Sequence, residues 1–417
     1  MLNRMLFQWL ILIVCLITNQ LLAQNDPATV VSQDEIPASW TASDESSWEL
    51  VDQRFRKTIK NKKVAGCSAL VIQDGQEVFS GEWGYGDKKA KTPIKRDSIF
   101  RIYSMSKPVV SIAALQLVEK KKMGLDDPIS KYLPEFKQPK VLVADNSGDG
   151  SFKEVDAERE ITVRDLLRHS SGLTYGFFGD TEVDQRYKRA RILFSEQNLQ
   201  QMVGKLGEIP LLHQPGTRFH YSVSTDVLGR VIEVVSGRDL ASYLDENLLD
   251  PLEMKDTFFT VPNSKLPRLA EMYRPTPGGF RECAAWESFR FRNQQNRFYS
   301  GGGGLCSTID DYSNFCRMLI SGGAFNGQQL IGKSILEEAF TNQLKALKNR
   351  SIGFKFGLGF RISGNGDLGW GGAAGTKFWV NPNQNLIVLY MVQIKPDHGS
   401  TDGDFLLKRA HQLLDKS

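Results

Sequence analysis

The sequence has few of the residues that build metal centres. Its 417 residues include five histidines and five cysteines, with no His-x-His, His-Glu-x-x-His or Cys-x-x-Cys spacing. A catalytic zinc site needs about three converging ligands of these types, and sequence signatures of such sites carry closely spaced pairs. The sequence therefore argues against a zinc hydrolase, and it predicts neither a metal nor an organic cofactor.

An excess of charge of one sign is also missing. The chain has 52 Lys and Arg residues against 48 Asp and Glu residues, a formal net charge of +4 that is spread along its length. Proteins that bind nucleic acid carry a basic patch or arm that neutralises phosphates. Nucleic acid is therefore not an expected partner, and the sequence makes no prediction of oligomeric state.

Long hydrophobic runs are missing beyond the N-terminus. There, residues 6–17 form an apolar run that follows Arg4 and leads to small residues ending at Ala23. The run is shorter than the roughly 20 residues that span a bilayer, and its pattern is that of a secretory signal peptide. We expect residues 1–23 to be removed and the mature protein, without a transmembrane anchor, to be secreted or periplasmic. The sequence leaves open whether the remaining cysteines form disulfides or stay as buried thiols: Cys67, Cys283, Cys306 and Cys316.

Strand patterns cluster at the two ends of the mature chain. Residues 24–48 are polar and carry two prolines, which predicts a flexible leader. A helix and then a hairpin around Asp74-Gly75 open the domain of residues 49–417. At the other end the patterns predict three strands and a closing helix, over 358–363, 374–381, 386–394 and 404–415.

These patterns predict an α/β fold built on one antiparallel sheet. The sheet draws on residues from about 49–103 and 352–417 and is flanked by the terminal helices. The region between, from about 104 to 351, is mainly helical and is inserted over one side of the sheet. Such an arrangement has a cleft between its layers, where ligand sites are common.

One short motif combines a nucleophile with a base. Ser104-Met-Ser-Lys107 is the single S-x-x-K spacing in the chain. Residues at i and i+3 share a helix face, so a neutral lysine amine can approach the serine hydroxyl and accept its proton. Pro108 confines the helix start to about Ser104, where free backbone N–H groups suit a developing oxyanion. The spacing therefore predicts Ser104 as nucleophile and Lys107 as base.

A serine–lysine hydrolase also needs a group that passes a proton to the leaving atom, and two tyrosines are candidates. Tyr221 precedes a buried helical pattern at residues 223–235. Tyr312 lies in a Tyr-Ser-Asn triplet inside a helical pattern, with Phe315 and Leu319 at the spacing of a core face. We favour Tyr221 as the relay and interpret Tyr312 as a core residue. His169, which ends a helical pattern, is interpreted as a helix cap because a lysine already supplies the base.

Several ordered motifs resemble those of the serine β-lactamase and penicillin-binding protein family, in particular its class C-like branch with the family VIII carboxylesterases. The resemblance extends from about residue 50 to the C-terminus. It rests on these segments: Ser104-Met-Ser-Lys107, Gly124-Leu-Asp-Asp-Pro128, residues 161–172, residues 221–229, Pro251-Leu-Glu-Met254, Gly301-Gly-Gly-Gly-Leu305 and Trp370-Gly-Gly372. The resemblance implies a β-lactamase/D,D-peptidase-like fold, an acyl-enzyme on Ser104, and roles of base for Lys107 and proton relay for Tyr221.

The family's third motif falls on Trp370-Gly371-Gly372. By the same resemblance Ala373 offers the second oxyanion N–H, beside that of Ser104. Two positions depart from the family pattern, because Val223 replaces the Asn of Tyr-x-Asn and Trp370 replaces a cationic or polar residue that holds a substrate carboxylate. Glycines beside Trp370 favour a cleft edge over a core position for its ring.

These observations lead to a functional hypothesis. We expect an exported serine hydrolase acting on a small-molecule ester or amide, and most readily a carboxylesterase on uncharged short-chain esters. The alternative enzyme is a β-lactamase or D-Ala-D-Ala carboxypeptidase. A different class, a penicillin-binding-like protein that is acylated without turnover, is supported by the missing Asn at position 223.

Overall fold

The fold combines strands and helices of different lengths. A computed structural model of the protein describes residues 36–145, 150–347, 353–397 and 401–414. Numbered in chain order, the strands β1 to β17 are Ala38–Ala42, Gly66–Gln73, Gln76–Asp87, Thr92–Pro93, Phe100–Arg101, Lys140–Ala144, Phe152–Asp156, Tyr273–Thr276, Gly279–Glu282, Cys306–Ser307, Ala324–Phe325, Gln328–Gln329, Lys355–Phe356, Arg361–Ile362, Leu368–Gly371, Lys377–Asn381 and Leu386–Val392. The helices α1 to α11 are Glu45–Lys60, Ser106–Glu119, Val163–Leu167, Glu182–Ala190, Leu199–Gly207, Ser224–Ser236, Leu240–Leu244, Ala285–Arg292, Ile309–Ile320, Lys333–Ala339 and Asp402–Leu414.

The main sheet joins the two ends of the chain, as the sequence predicts. Within the described residues it has nine strands, in the order β1-β3-β2-β17-β16-β15-β14-β13, with β4 paired to β3. Neighbouring strands are antiparallel, and β17 lies beside β2 with Leu389 opposite Leu70. The sequences of these two strands are nearly continuous apolar runs because both strands are central and buried on both faces.

Helices cover both faces of this sheet. On one face, Tyr390 of β17 contacts Phe55 of α1, with ring centroids 5.6 Å apart. Phe378 of β16 lies opposite Leu389, the neighbour of Tyr390, so it points to the other face, where its ring is 5.1 Å from that of Tyr312 in α9. The sheet is therefore a middle layer, which is the predicted α/β architecture.

The central helix of the inserted region is α2, and it begins two residues after Ser104, the predicted nucleophile. Residues from Ser106 to Leu117 are all buried, which explains why the helix shows no polar face. Pro108 is its third residue, where the missing N–H would have no partner within the helix. The inserted region is mainly helical, as predicted, with the two-stranded pairs β6–β7, β8–β9 and β11–β12 added to it.

The structure corrects two predictions about the ends of the chain. The leader predicted over residues 24–48 is wrong from residue 38 onward, because β1 pairs with the edge strand β3 and α1 begins at Glu45. Short alternating segments such as Ala38–Ala42 gain their order from pairing, which a local pattern does not report. The prediction of three C-terminal strands is incomplete, because Leu368–Gly371 forms a further strand that carries Trp370.

Other predictions concern processing and cysteine chemistry. The predicted signal peptide and residues 24–35 lie outside the described residues. Cys67, Cys283, Cys306 and Cys316 are free thiols, which resolves the alternative that the sequence left open. Among the residues that the structure describes, no helix has the length and apolar character needed to cross a bilayer.

Candidate active site

Ser104 lies in a single 3-10 turn, Tyr103–Met105, directly before α2. The preceding residue, Tyr103, has a φ of 42°, in the left-handed region that side-chain-bearing residues rarely adopt. Backbone hydrogen bonds hold this conformation, since the Ile102 N–H donates to the Leu305 carbonyl at 3.0 Å. The turn presents the Ser104 hydroxyl, half-buried, at the start of the buried helix.

Lys107 points back to Ser104 from the first turn of α2. Its Nζ lies 3.3 Å from Ser104 Oγ and 2.8 Å from the Tyr175 hydroxyl oxygen. It also donates to the Gly302 carbonyl. The side chain is 2% exposed, so these three oxygens replace its hydration shell. The predicted pair of Ser104 and Lys107 is therefore brought together at hydrogen-bond distance.

Of the two candidate tyrosines, the structure places Tyr221 at Ser104. The Tyr221 hydroxyl donates to Ser104 Oγ at 2.7 Å, and its ring lies under Lys107 Nζ at 4.7 Å. Tyr312 is buried in α9, where its hydroxyl donates to the Met105 carbonyl at 2.9 Å. Tyr312 is thus a core residue, as its spacing indicates, and Tyr221 shares the Ser104 hydroxyl with Lys107.

A second tyrosine at the site, Tyr175, was not predicted from the sequence. It is buried, and its hydroxyl accepts a hydrogen bond from Lys107. Burial, followed by the neighbouring Tyr221 and Asp226, raises the pKa of Tyr175 well above its ordinary value. Tyr175 therefore stays a neutral hydroxyl that orients the lysine amine.

A buried carboxylate holds the loop that faces Lys107. Asp226 of α6 accepts hydrogen bonds from the Ser300 hydroxyl at 2.5 Å and from the Gly302 N–H at 3.1 Å. A Cβ at position 302 would lie 2.3 Å from Asp226 Oδ2, so only glycine fits there. Asp226 thereby fixes the Gly302 peptide, whose carbonyl accepts from Lys107.

Replacing Asp226 by alanine is expected to weaken both the fold and the site. The change leaves the Ser300 hydroxyl and the Gly302 N–H buried without an acceptor, so the free energy of unfolding falls by about 3 kcal/mol. A displaced Gly302 carbonyl no longer positions Lys107, and kcat for an ester substrate falls by about 10- to 100-fold. Urea denaturation and steady-state kinetics measure the two effects. Asp226→Asn keeps an acceptor oxygen and is expected to recover most of the stability; equal kcat in wild type and Asp226→Ala would contradict the positioning role.

The third predicted motif lies beside the nucleophile turn. Gly372 is tightly packed there, because a Cβ at this position would lie 2.4 Å from the Ile102 carbonyl oxygen. The Gly372 N–H donates to the Thr376 carbonyl at 2.7 Å, and Gly371 pairs with Lys377 in the sheet. Ala373 follows at the exposed tip of this turn. The fold therefore brings the 370–373 segment next to the segment that carries Ser104.

Trp370 is half-buried and forms part of an aromatic wall around Tyr221. Its ring centroid lies 5.5 Å from that of Tyr221, and no described residue accepts a hydrogen bond from its indole N–H. Tyr221 in turn lies 5.2 Å from Tyr175 and 5.9 Å from Phe178. The aromatic wall consists of Tyr175, Phe177, Phe178, Tyr221 and Trp370. Since Phe177 and Phe178 are 58% and 66% exposed, the wall extends from Ser104 to solvent.

His169 lies behind Tyr221 and supports its ring. It has a φ of 54°, directly after α3, which is the cap position that the sequence predicts. The imidazole is 1% exposed and lies 4.9 Å from the Tyr221 ring. Burial, and then the positive charge of Lys107, lower the pKa of His169 well below its ordinary value of 6.5. The native state therefore holds a neutral imidazole at neutral pH.

The buried imidazole predicts a loss of stability in mild acid. The unfolded chain protonates His169 below about pH 6.5 whereas the native state resists protonation, so stability is complete above that pH and falls as the pH falls. At pH 5 this residue alone lowers the free energy of unfolding by about 2 kcal/mol. Urea denaturation at pH 7 and at pH 5 gives the free energy of unfolding of each protein. Between these two pH values it is expected to fall by about 2 kcal/mol less in His169→Asn than in wild type. Identical falls in the two proteins would show that His169 is not neutral in the native state.

Comparisons with known proteins agree with this architecture. The family model described as Beta-lactamase matches residues 51–413. Protein Rv1367c of Mycobacterium tuberculosis is 33% identical over 363 residues, covering 80% of this chain and 87% of that protein. Esterase EstB of Burkholderia gladioli is 26% identical over 368 residues, covering 82% and 89%. The solved structure of EstCE1, described as a hydrolase with promiscuous acyltransferase activity, superposes with a TM-score of 0.75 at 25% identity, covering 88% of this chain and 98% of EstCE1.

Fold and relatives together define a class of enzyme. The protein is a serine hydrolase with the β-lactamase and penicillin-binding protein fold. The chain belongs to the β-lactamase family.

Proposed function

We propose that the protein is an exported carboxylesterase that cleaves short-chain esters through an acyl-enzyme on Ser104. The observation that carries the proposal is the shared hydrogen bonding of Ser104 Oγ with Lys107 Nζ at 3.3 Å and with the Tyr221 hydroxyl at 2.7 Å. Both groups lie within reach of the proton that leaves the serine in the first step.

In the acylation step, Ser104 Oγ forms a bond to the ester carbonyl carbon while its proton passes to the neutral amine of Lys107 or to the phenolate of Tyr221. The carbonyl oxygen gains negative charge, and the backbone N–H groups of Ser104 and Ala373 are the proposed donors to it. The bond to the leaving alcohol then breaks, and Tyr221 delivers a proton to the departing oxygen. In deacylation, water gives a proton to the same pair and attacks the acyl carbon. The bond to Ser104 Oγ then breaks, the pair returns the proton to this oxygen, and the acid departs.

The preference for an uncharged leaving group rests on the aromatic wall. Trp370 stands where the family pattern has a residue that binds a carboxylate, and its neighbours in the wall are aromatic. An indole and phenyl rings favour an apolar alcohol over an anionic one. EstB is named an esterase and EstCE1 is described as a hydrolase, and both descriptions support the same reaction class.

Export is proposed from the N-terminal sequence. The apolar run before Ala23 supports cleavage of a signal peptide and a secreted or periplasmic location. N-terminal sequencing of the protein recovered outside the cytoplasm checks this, and retention of Met1 in that fraction would contradict cleavage.

The function is tested with the mature protein and p-nitrophenyl butyrate. Steady-state assays are expected to give multiple turnovers, and rapid acid quenching followed by mass spectrometry is expected to show a butyryl group on the peptide that contains Ser104. A chromogenic cephalosporin serves as the competing substrate. Higher kcat/KM on the cephalosporin would favour a β-lactamase, and a stable acyl adduct without turnover of either compound would favour a penicillin-binding-like protein; each result would overturn the esterase proposal.

A further inference from the structure

Two cations without a carboxylate partner lie against the nucleophile turn. Lys395 Nζ is 4.7 Å from the centroid of the Tyr103 ring. Arg290 of α8 donates to the Gly303 carbonyl at 2.9 Å. Within the described residues neither forms an ion pair, whereas the nearby Arg274 and Arg292 are bound to Glu287 and Glu271. Glu287 and Glu271 are thus already paired with arginines, and among the described ion pairs none includes Lys395 or Arg290.

Both cations are attached to segments that border Ser104. Tyr103, under Lys395, directly precedes the nucleophile. Gly303, the acceptor of Arg290, packs on the same turn, since a Cβ at this glycine would lie 3.6 Å from the Tyr103 carbonyl carbon. The N–H of Ile394, the neighbour of Lys395, donates at 3.0 Å to the carbonyl of Ala374. Lys395 is therefore also next to the turn that carries the proposed oxyanion donor.

The two cations and Tyr221 border different hydrophobic clusters. Tyr103, Phe291 and Ala374 belong to one hydrophobic cluster, which borders Arg290 and Lys395. Tyr221 and Trp370 pack instead against the main core. Because Tyr221 serves the departing oxygen, the leaving alcohol lies on the side of the aromatic wall. With the alcohol there, the acyl group is left to the other segments that border Ser104, and Tyr103 and Gly303 of these segments contact the cations.

The local electrostatics favour an anion on the acyl side. Both side chains are half-buried. Burial, followed by the charge of Arg290, lowers the pKa of Lys395. Two neighbours, Glu287 and Cys283, oppose this effect. Glu287 accepts hydrogen bonds from Arg274 and from the Ala284 N–H. A carboxylate placed between Arg290 and Lys395 would relieve their repulsion and replace lost solvation with charge-assisted hydrogen bonds.

We propose that Arg290 and Lys395 form an anion subsite for the acyl group, so that the preferred substrates are esters whose short acyl chain ends in a carboxylate. This inference rests on the proposed esterase function and narrows its substrate class to half-esters of dicarboxylic acids with an uncharged alcohol. The alcohol occupies the aromatic wall and the distal carboxylate occupies the subsite.

The test compares charged and neutral acyl groups of equal length. p-Nitrophenyl hemisuccinate is paired with p-nitrophenyl levulinate, in which a methyl ketone replaces the carboxylate, and Ser104→Ala supplies the blank for spontaneous hydrolysis. Wild type is expected to prefer the hemisuccinate by at least about tenfold in kcat/KM. Arg290→Gln and Lys395→Gln are each expected to lower this ratio about tenfold, with the change mainly in KM. Raising the salt concentration is expected to lower the ratio in wild type.

A matched control and the opposing results complete the design. Lys205→Gln removes a half-buried lysine that has no ion pair among the described residues and bonds to Gln197, away from the site, so its ratio should equal that of wild type. A wild-type ratio near one, or an unchanged ratio in both Arg290→Gln and Lys395→Gln, would overturn the anion subsite while Ser104-dependent turnover of levulinate upholds the esterase. Absence of turnover on both esters would overturn the esterase proposal itself.

Discussion

Ser104→Ala is expected to lower kcat/KM for p-nitrophenyl butyrate by about 10⁴-fold or more. The variant keeps the binding cleft but has no oxygen to attack the carbonyl, and removal of the nucleophile from a catalytic set that works as a unit abolishes nearly all of its effect. The loss is read from initial rates at several enzyme concentrations, so that the residual rate is separated from spontaneous hydrolysis.

The structure provides a clear control for this variant. The half-buried Ser104 hydroxyl accepts hydrogen bonds from Tyr221 and Lys107, and Lys107 keeps the Tyr175 and Gly302 oxygens as partners when this hydroxyl is removed. Thermal unfolding of Ser104→Ala should therefore stay close to that of wild type. If properly folded Ser104→Ala hydrolyses the ester at the same rate as wild type, another residue carries the acyl group.

The contact between Ser104 and Lys107 could be predicted because their relation is local. Ser104 and Lys107 are three residues apart at the start of one helix, and Pro108 with the apolar residues that follow fixes where that helix begins. Helix geometry then places the two side chains on one face. Tyr221 needed an additional step, since only its position before a buried helix distinguished it from Tyr312.

The rest of the site is assembled by contacts between distant segments. Tyr175 lies 68 positions from Lys107, and Asp226 reaches Gly302 across 76 positions. No spacing rule relates residues at such separations, so no pattern in the sequence pointed to either one. A signal was present in the four consecutive glycines at 301–304, because a run without side chains indicates close approach of other groups.

The same distinction applies to the fold. The hairpin at Asp74-Gly75 and the apolar strand β17 were predicted, because turn residues and buried runs are local signals. Strand β1 and the short strand Leu368–Gly371 were not predicted as strands. They are ordered by pairing with β3 and β16, which is a tertiary effect.

Lys107→Met is expected to lower kcat/KM for p-nitrophenyl butyrate by about 10³-fold. Methionine keeps the apolar stem of the side chain but cannot accept the proton of Ser104, and general-base catalysis of this kind contributes about 10²- to 10⁴-fold. Tyr221→Phe is expected to lose less, about 10²-fold, because Lys107 still contacts Ser104 Oγ. Initial rates with each variant, measured under the same conditions, give the two ratios.

Lys107→Arg decides whether the side chain acts as a base or only as a positive charge. A guanidinium stays protonated in proteins, so it can donate to the Tyr175 hydroxyl and the Gly302 carbonyl but cannot take a proton from Ser104. If Lys107 is the base, Lys107→Arg is as slow as Lys107→Met. If the arginine variant instead keeps most of the wild-type rate, the charge alone is what the site requires. The role of base then passes to Tyr221 as the phenolate, whose oxygen lies 2.7 Å from Ser104 Oγ.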